Sequence, residues 1–207
     1  MRRLFGLRSR RGQSLVEFSL ILPVIMFLLL GMVEMGFAIN HNVAIQTATR
    51  QGARVGSILV NGDTKCNTGN ATLANAVDPQ IISAVEGALI SPGTMVDKTQ
   101  VTSIEIFGVS SSGTALGTGT NMFVYNSGTG HFVASGTTGW PAINRCGAVT
   151  GSLPNGGAPR IGVKITYNYR FITPLGSLLS TFGGGLFANG KITMTDQTTM
   201  ALEPPKP

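Results

Sequence analysis

The sequence is poor in charged residues, cysteine, histidine and tryptophan, and each shortage narrows what the chain can do. Charged residues make up 12% of the 207 residues, whereas glycine alone accounts for 28. Disordered chains combine low hydrophobicity with high net charge, which is not the pattern seen here. The composition therefore predicts a folded domain of ordinary size.

Recognised catalytic and metal-binding motifs are also missing. There is no Gly-x-Ser-x-Gly, His-Glu-x-x-His, phosphate-binding loop or Cys-x-x-Cys. His41 and His131 have no neighbouring Ser, Cys or acid in a catalytic arrangement, and we interpret them as an interfacial and a surface histidine. We therefore expect no enzymatic activity, no cofactor and no metal site.

Only two cysteines are present, Cys66 and Cys146. An even pair in an exported domain is more often a disulfide than a metal site. Structural zinc takes about four ligands, and the chain offers few others. We favour a disulfide between Cys66 and Cys146.

Positive charge is concentrated at the N-terminus. The formal net charge is +6, but five of the fifteen basic residues, Arg2, Arg3, Arg8, Arg10 and Arg11, lie in the first eleven positions. The rest of the chain is almost neutral, which argues against binding to nucleic acid. Basic residues beside an apolar span stay in the cytoplasm, so the asymmetry indicates membrane topology.

An apolar run extends from Leu15 to Ile39, interrupted by Glu17 and Glu34. Its 25 residues exceed the ~20 that cross a bilayer as a helix, so we predict a membrane-spanning helix. A secretory signal peptide is the alternative, but its apolar region is shorter and ends at a small-x-small cleavage site. Gly36-Phe37-Ala38 matches that site only weakly.

The remaining chain predicts an α+β domain. One helix continues to Leu59, with a stripe at Val43, Ala44, Thr47, Ala48, Gln51, Gly52, Val55, Gly56 and Leu59. Asp78-Pro79 predicts the start of a second helix ending near Ile90. Alternation predicts strands at Val101–Val109, Asn121–Asn126, Arg160–Ile172 and Lys191–Leu202. Asp196 breaks the apolar face of the last strand, which suggests a bulge or an exposed strand end.

Two further segments have weaker patterns. Between Ser110 and Gly157 we expect long loops with short strand pieces, and a short helix is predicted from Thr173 to Phe182. The full division is a leader at 1–12, a membrane helix at 13–39, its exported continuation at 40–60, an antiparallel-sheet domain at 61–203 and a disordered tail at 204–207.

The string from Arg10 to Phe18, Arg-Arg-Gly-Gln-Ser-Leu-Val-Glu-Phe, stands where the basic leader meets the apolar span. Here the chain resembles the type IV prepilin superfamily, and more closely the TadE-like pseudopilins of tight-adherence pili. The resemblance runs from Arg11 to about Gly56, including Glu34-Met35-Gly36 and the small-residue run from Thr47 to Arg54.

The resemblance implies how the chain is processed and assembled. A prepilin peptidase would cut between Gly12 and Gln13, which makes Glu17 the fifth residue of the mature chain and, with Phe18, an assembly residue. A carboxylate inside a membrane costs about 2.5–3.5 kcal/mol unless it is partnered. The new α-amino group of the same chain or of a neighbouring subunit would be that partner, and the resemblance implies the neighbour. The alternative is that the Glu17 side chain reaches the membrane interface. Other pilin subunits, the assembly platform and the bilayer are the further partners implied.

Other interpretations remain open from the sequence. Glu34 is interpreted as a residue at the far membrane boundary, and a pairing with Arg50 or Arg54 of another subunit is the alternative. The whole chain could also be an uncleaved single-span protein whose outer domain binds a ligand or the cell wall. Cleavage at Gly12 separates that alternative from a minor pilin.

Overall fold

The structure is a computed structural model, and it describes residues 12–59, 74–136, 139–140, 160–177 and 190–202. The chain divides into two compact units, Met1–Phe37 with Phe171–Gly190, and Ala38–Arg170 with Lys191–Pro207. The expected leader before Gly12, the Cys66–Cys146 disulfide and the tail at 204–207 lie outside the described residues.

Helix α1 runs from Gln13 to Leu59, a single helix of 47 residues. The prediction that the membrane helix continues without a break to Leu59 is confirmed. Pro23 lies inside it, which membrane helices tolerate when neighbouring groups satisfy the freed carbonyl. At 1.5 Å per residue a helix of this size is about 70 Å long.

Helix α2 runs from Ala74 to Leu89 and begins before the predicted position. The prediction that Asp78 caps the helix and Pro79 opens its first turn is therefore wrong. Pro79 lies inside the helix, where it removes one backbone donor. The Asp78 carboxylate accepts a hydrogen bond from Asn121 Nδ2 at 2.6 Å, so it binds the sheet and not the helix N-terminus.

Within the described residues, five antiparallel strands form one sheet in the order β3-β2-β1-β4-β5. The strands are β1 (Val101–Val109), β2 (Ala115–Asn126), β3 (His131–Ala134), β4 (Arg160–Arg170) and β5 (Lys191–Ala201). With the long N-terminal helix, this sheet confirms the predicted α+β class.

The predicted strands agree with the observed ones to different degrees. Strand β1 has the predicted bounds, and β4 and β5 end within two residues of theirs. Strand β2 starts earlier than predicted, and β3 lies in the region where only short strand pieces were expected. Residues 175–177 are helical, and the rest of the helix predicted from Thr173 to Phe182 lies outside the described residues.

Asp196 occupies the inner face of β5 without distorting the strand. Pairing of β4 with β5 is regular from Arg160 opposite Ala201 to Arg170 opposite Lys191, so the expected bulge or strand end is wrong. The Asp196 carboxylate accepts a hydrogen bond from Thr49 Oγ1 of α1, and Thr49 is buried. A polar partner on the helix therefore makes a carboxylate tolerable on this face.

The buried side of α1 between residues 41 and 57 differs from the predicted stripe by about one position. Val43, Thr47 and Gln51 belonged to that stripe but are exposed. The buried side consists mainly of small residues, namely His41, Ala44, Ile45, Ala48, Thr49, Gly52, Ala53, Gly56 and Ser57.

Small residues are needed there because α1 contacts a helix and a strand at the same level. A Cβ added to Gly52 would lie 2.6 Å from Val85 Cγ2 of α2, and one added to Gly56 would lie 2.6 Å from Ile161 Cδ1 of β4. Both distances are far below the ~3.5–4.0 Å of an ordinary carbon contact. The two glycines therefore permit α1, α2 and the sheet to share one core.

His41 belongs to this core, which corrects its interpretation as an interfacial histidine. It is 4% exposed, and its Nδ1 lies 2.9 Å from Tyr167 Oη. The Tyr167 hydroxyl in turn donates to Gln100 Oε1 at 2.8 Å, and the Tyr169 ring meets the imidazole edge to face. Tyr167 thus connects α1, the sheet and the turn before β1 in one polar cluster.

Tyr167 predicts an alkaline pH dependence of stability. Burial raises the pKa of its hydroxyl to about 12, whereas an unfolded tyrosine titrates near ~10. Between these values the unfolded chain has released a proton that the folded chain keeps, so stability is fully present below the window and falls as pH rises through it. We expect the denaturation midpoint of the full-length chain in detergent to fall accordingly.

The matched control is Tyr167→Phe, which removes the titrating group together with its two hydrogen bonds. Its midpoint should be lower at neutral pH, because lost hydrogen bonds of this kind each contribute about 1 kcal/mol. Its midpoint should also fall less steeply across the alkaline window. Equal slopes for the two proteins would contradict the role assigned to Tyr167.

Candidate functional site

The first candidate site is the N-terminal end of α1, at the predicted cleavage position. The helix begins at Gln13, directly after Gly12. Gly12 is exposed, and a Cβ built on it would meet no other atom within 4 Å. The backbone at Gly12 is therefore sterically open to an enzyme, and the predicted cleavage position coincides with the start of the helix.

Glu17 lies on the same helix face as Gln13, because residues four apart are neighbours on a helix. Gln13 Nε2 donates a hydrogen bond of 2.9 Å to Glu17 Oε1. Glu17 is exposed, and Phe18 is 57% exposed. The structure thus brings Gln13 and Glu17 together and leaves Phe18 available for contact with another molecule.

The helix after this site exposes apolar side chains on all its sides. Of the described helices, α1 is long and apolar enough to cross a membrane, and none of its most apolar window is buried. Exposed apolar surface in water is unfavourable by ~25 cal/mol per Å², so this part of α1 fits a single-pass membrane protein. The exposed side chains include Leu15, Val16, Phe18, Leu20, Ile21, Leu22, Val24, Ile25, Met26, Phe27, Leu28, Leu29, Met32, Val33, Met35 and Ile39.

Glu34 has a role that sequence reasoning missed. Its side chain is 5% exposed, and its two oxygens accept hydrogen bonds from the backbone N–H groups of Ile172 at 3.0 Å and Thr173 at 2.9 Å. Glu34 is therefore buried and bound by the backbone of its own chain, so the geometry does not support pairing with an arginine of another subunit. Its place at the membrane boundary stays a prediction.

The reason for the miss is that the partners are backbone amides 138 and 139 positions away. Every residue other than proline has such an amide, so no residue type identifies the partner. The uncharged stretch that follows Phe171 is the sequence feature that could have indicated the segment that binds Glu34.

A second candidate is a cleft of about 420 Å³ between α2 and strands β2 and β3. Glu86, which lines the cleft, accepts a hydrogen bond from the Phe132 N–H at 2.7 Å and pairs with His131 Nδ1 at 2.8 Å. The His131 side chain is 69% exposed, as a surface histidine should be. Both Glu86 oxygens thus hold β3 against α2, which is a structural role.

Metal-ligating side chains are scattered in the described part of the chain. Among those residues, no group of three or more His, Cys, Asp or Glu comes close enough to hold a metal ion. The acidic groups described above instead have protein partners: Glu34 binds backbone amides, and Glu86 and Asp196 bind side chains or amides of neighbouring elements.

In the described part of the chain, a long apolar N-terminal helix precedes an antiparallel sheet, and this order of elements defines an α+β protein. Within that class, residues 12–54 match the model of the family described as TadE-like protein. The match starts at Gly12 and contains Gln13, Glu17 and Phe18, so the resemblance stated from the sequence is confirmed over this segment. Comparison of the whole chain with curated proteins and with solved structures gives no match.

The TadE-like match supports involvement in the assembly of a tight-adherence pilus. TadE-like pilus proteins are structural components. The matched residues cover most of α1 and none of the sheet, so the family match concerns the helix and its N-terminal site.

Proposed function

We propose that this chain is a minor pilin or pseudopilin, a structural subunit that primes or forms the tip of a bacterial tight-adherence pilus. A prepilin peptidase cuts between Gly12 and Gln13 and removes the leader with its five arginines. The observation that carries the proposal is that the family match and helix α1 begin at adjacent residues, Gly12 and Gln13.

The proposed topology follows from charge. Before cleavage the leader arginines hold the N-terminus in the cytoplasm. Residues 13–39 cross the cytoplasmic membrane, and residues 40–60 with the sheet domain lie outside it. The mature helix then contacts other pilin subunits and the assembly platform in the bilayer, and Glu17 sets the register between subunits.

The first test is the N-terminus of the native protein, purified from cells that contain the peptidase. We expect an intact mass and an N-terminal sequence that start at Gln13. Gly12→Ala should leave the full-length chain uncleaved, because the added methyl group obstructs the extended backbone at the scissile bond. The substitution does not disturb the helix, since nothing lies within 4 Å of the new Cβ.

The matched control is Gly31→Ala, the same change at another open glycine of α1, which should be cleaved normally. A peptidase-deficient strain should accumulate the full-length chain. A native protein that keeps Arg2 to Gly12 in the presence of active peptidase would contradict the proposal and favour an uncleaved anchor with an outer binding domain.

A further inference from the structure

The start of the β4–β5 connection, Phe171–Ser177, has no assigned role, and we name it the interfacial segment. We propose that the interfacial segment inserts into the bilayer beside α1, in the leaflet that contains Ile39, and shields the Glu34 carboxylate from lipid. The proposal rests on the membrane-spanning role of α1 and adds a second site of lipid contact.

The position of Glu34 sets the depth of this segment. The apolar run from Leu15 to Ile39 is centred on Phe27, so Glu34 lies about 10 Å from the middle of the bilayer at 1.5 Å per residue. The hydrocarbon core extends about 15 Å from the middle. The Glu34 carboxylate therefore lies within the hydrocarbon region, and the Ile172 and Thr173 amides that bind it lie at a similar depth.

A carboxylate at that depth needs protection. In lipid a carboxylate without partners is strongly unfavourable. Here two N–H groups donate to its two oxygens, and the side chain is 5% exposed. The interfacial segment therefore supplies both the donors and the cover.

The segment also satisfies several of its own backbone polar groups, as a backbone in lipid must. The Ile172 and Thr173 amides bind Glu34, the Gly176 amide donates to the Thr173 carbonyl, and Pro174 has no N–H to satisfy. The Ser177 hydroxyl donates to the Pro174 carbonyl at 2.7 Å. A loop in water would not need this degree of internal pairing.

The side chains agree with a lipid environment. Ile172 is 58% exposed, and the sequence from Phe171 to Gly190 contains no charged residue. Surface loops in water are usually polar. The connection Phe171–Gly190 also groups with Met1–Phe37 in one compact unit, apart from the strands that it joins.

The test places a tryptophan at Ile172 and measures its contact with lipid. Ile172→Trp suits the site because tryptophan is favoured at membrane interfaces. The full-length chain is reconstituted into phosphatidylcholine vesicles whose acyl chains carry bromine, a contact quencher. Trp140 is 1% exposed in the other unit, so its emission in the parent chain provides the baseline.

Two matched variants complete the experiment. Met26→Trp, at a 50% exposed position in the middle of the span, reports whether α1 is in lipid. Met122→Trp, at a 41% exposed position on β2, reports the background for an exposed tryptophan of the sheet. We expect emission from the new tryptophan to fall to about half in Ile172→Trp and Met26→Trp, and to stay unchanged in Met122→Trp.

The outcomes separate this inference from the proposed function. Quenching in Met26→Trp without quenching in Ile172→Trp would overturn the inference and leave the membrane-spanning helix in place. No quenching in either would overturn both. The emission of Ile172→Trp could instead shift to the blue as protein concentration rises, without quenching by bromine. That result would indicate that a second copy of the chain covers the segment, and it would also overturn the inference.

Discussion

Replacing Glu17 by Gln is expected to leave cleavage after Gly12 intact and to lower incorporation into pili about a hundredfold. In the proposed assembly, the Glu17 carboxylate faces the α-amino group of a neighbouring Gln13 inside the membrane. Leaving such a charge without its partner costs about 2.5–3.5 kcal/mol, and each 1.4 kcal/mol is a factor of about ten in association. Glutamine has the same shape, so only the charge is lost.

The measurement is the amount of mature chain that co-purifies with other pilus components, normalised to its membrane level. The matched control is Ser19→Ala, a polar change on the same exposed turn whose hydroxyl bonds only the Val16 carbonyl of its own helix. It should assemble normally. Normal assembly of Glu17→Gln would remove the role assigned to the carboxylate, whereas failure of cleavage would show that Glu17 acts on the peptidase.

Replacing Gly52 by Leu is expected to lower the free energy of unfolding of the sheet unit by about 3 kcal/mol, at the upper end of overpacking effects. The first added atom would already lie 2.6 Å from Val85 Cγ2 and 3.4 Å from Val163 Cγ1. Three further carbons would then have to enter the same space between α1, α2 and β4. The gain in helix propensity, about 1 kcal/mol for replacing glycine, does not offset that strain.

Denaturant unfolding of the full-length chain in detergent, followed by the emission of the buried Trp140, gives the measurement. Gly36→Leu is the matched control, since it makes the same change on the same helix where no atom lies within 4 Å of the new Cβ. Its unfolding should not change. If Gly52→Leu and the parent had the same free energy of unfolding, α1 would be able to move away from α2 without loss of stability.

Several features were within reach of sequence reasoning because they depend on local patterns. The apolar run and the absence of proline between Pro23 and Leu59 were enough to predict one helix that continues from the membrane span to Leu59. Alternation predicted β4, and with the interruption at Asp196 it also predicted β5, since side chains of a strand point to opposite faces in turn. The motif at Gly12 and Glu17 was visible for the same reason, because its residues are neighbours in the chain.

Other features depend on partners that are distant in sequence. The stripe on α1 was misplaced because small residues lie on two sides of the helix, and only contact with Val85 and Ile161 decides which side is buried. Asp78 was interpreted as a helix cap because an Asp-Pro pair usually starts a helix. Its carboxylate instead accepts a hydrogen bond from Asn121. In both cases a tertiary contact overrode the local rule.

By itself, therefore, the sequence determined the leader charge, the helix from Gln13 to Leu59, the main strands and the N-terminal site. The tertiary structure alone decided the partners of the buried polar groups, namely Glu34 with the Ile172 and Thr173 amides, His41 with Tyr167, and Thr49 with Asp196. The physical reason is that a periodic pattern records which side of an element is buried, whereas a polar group inside a protein is stable only beside a partner that the fold brings to it.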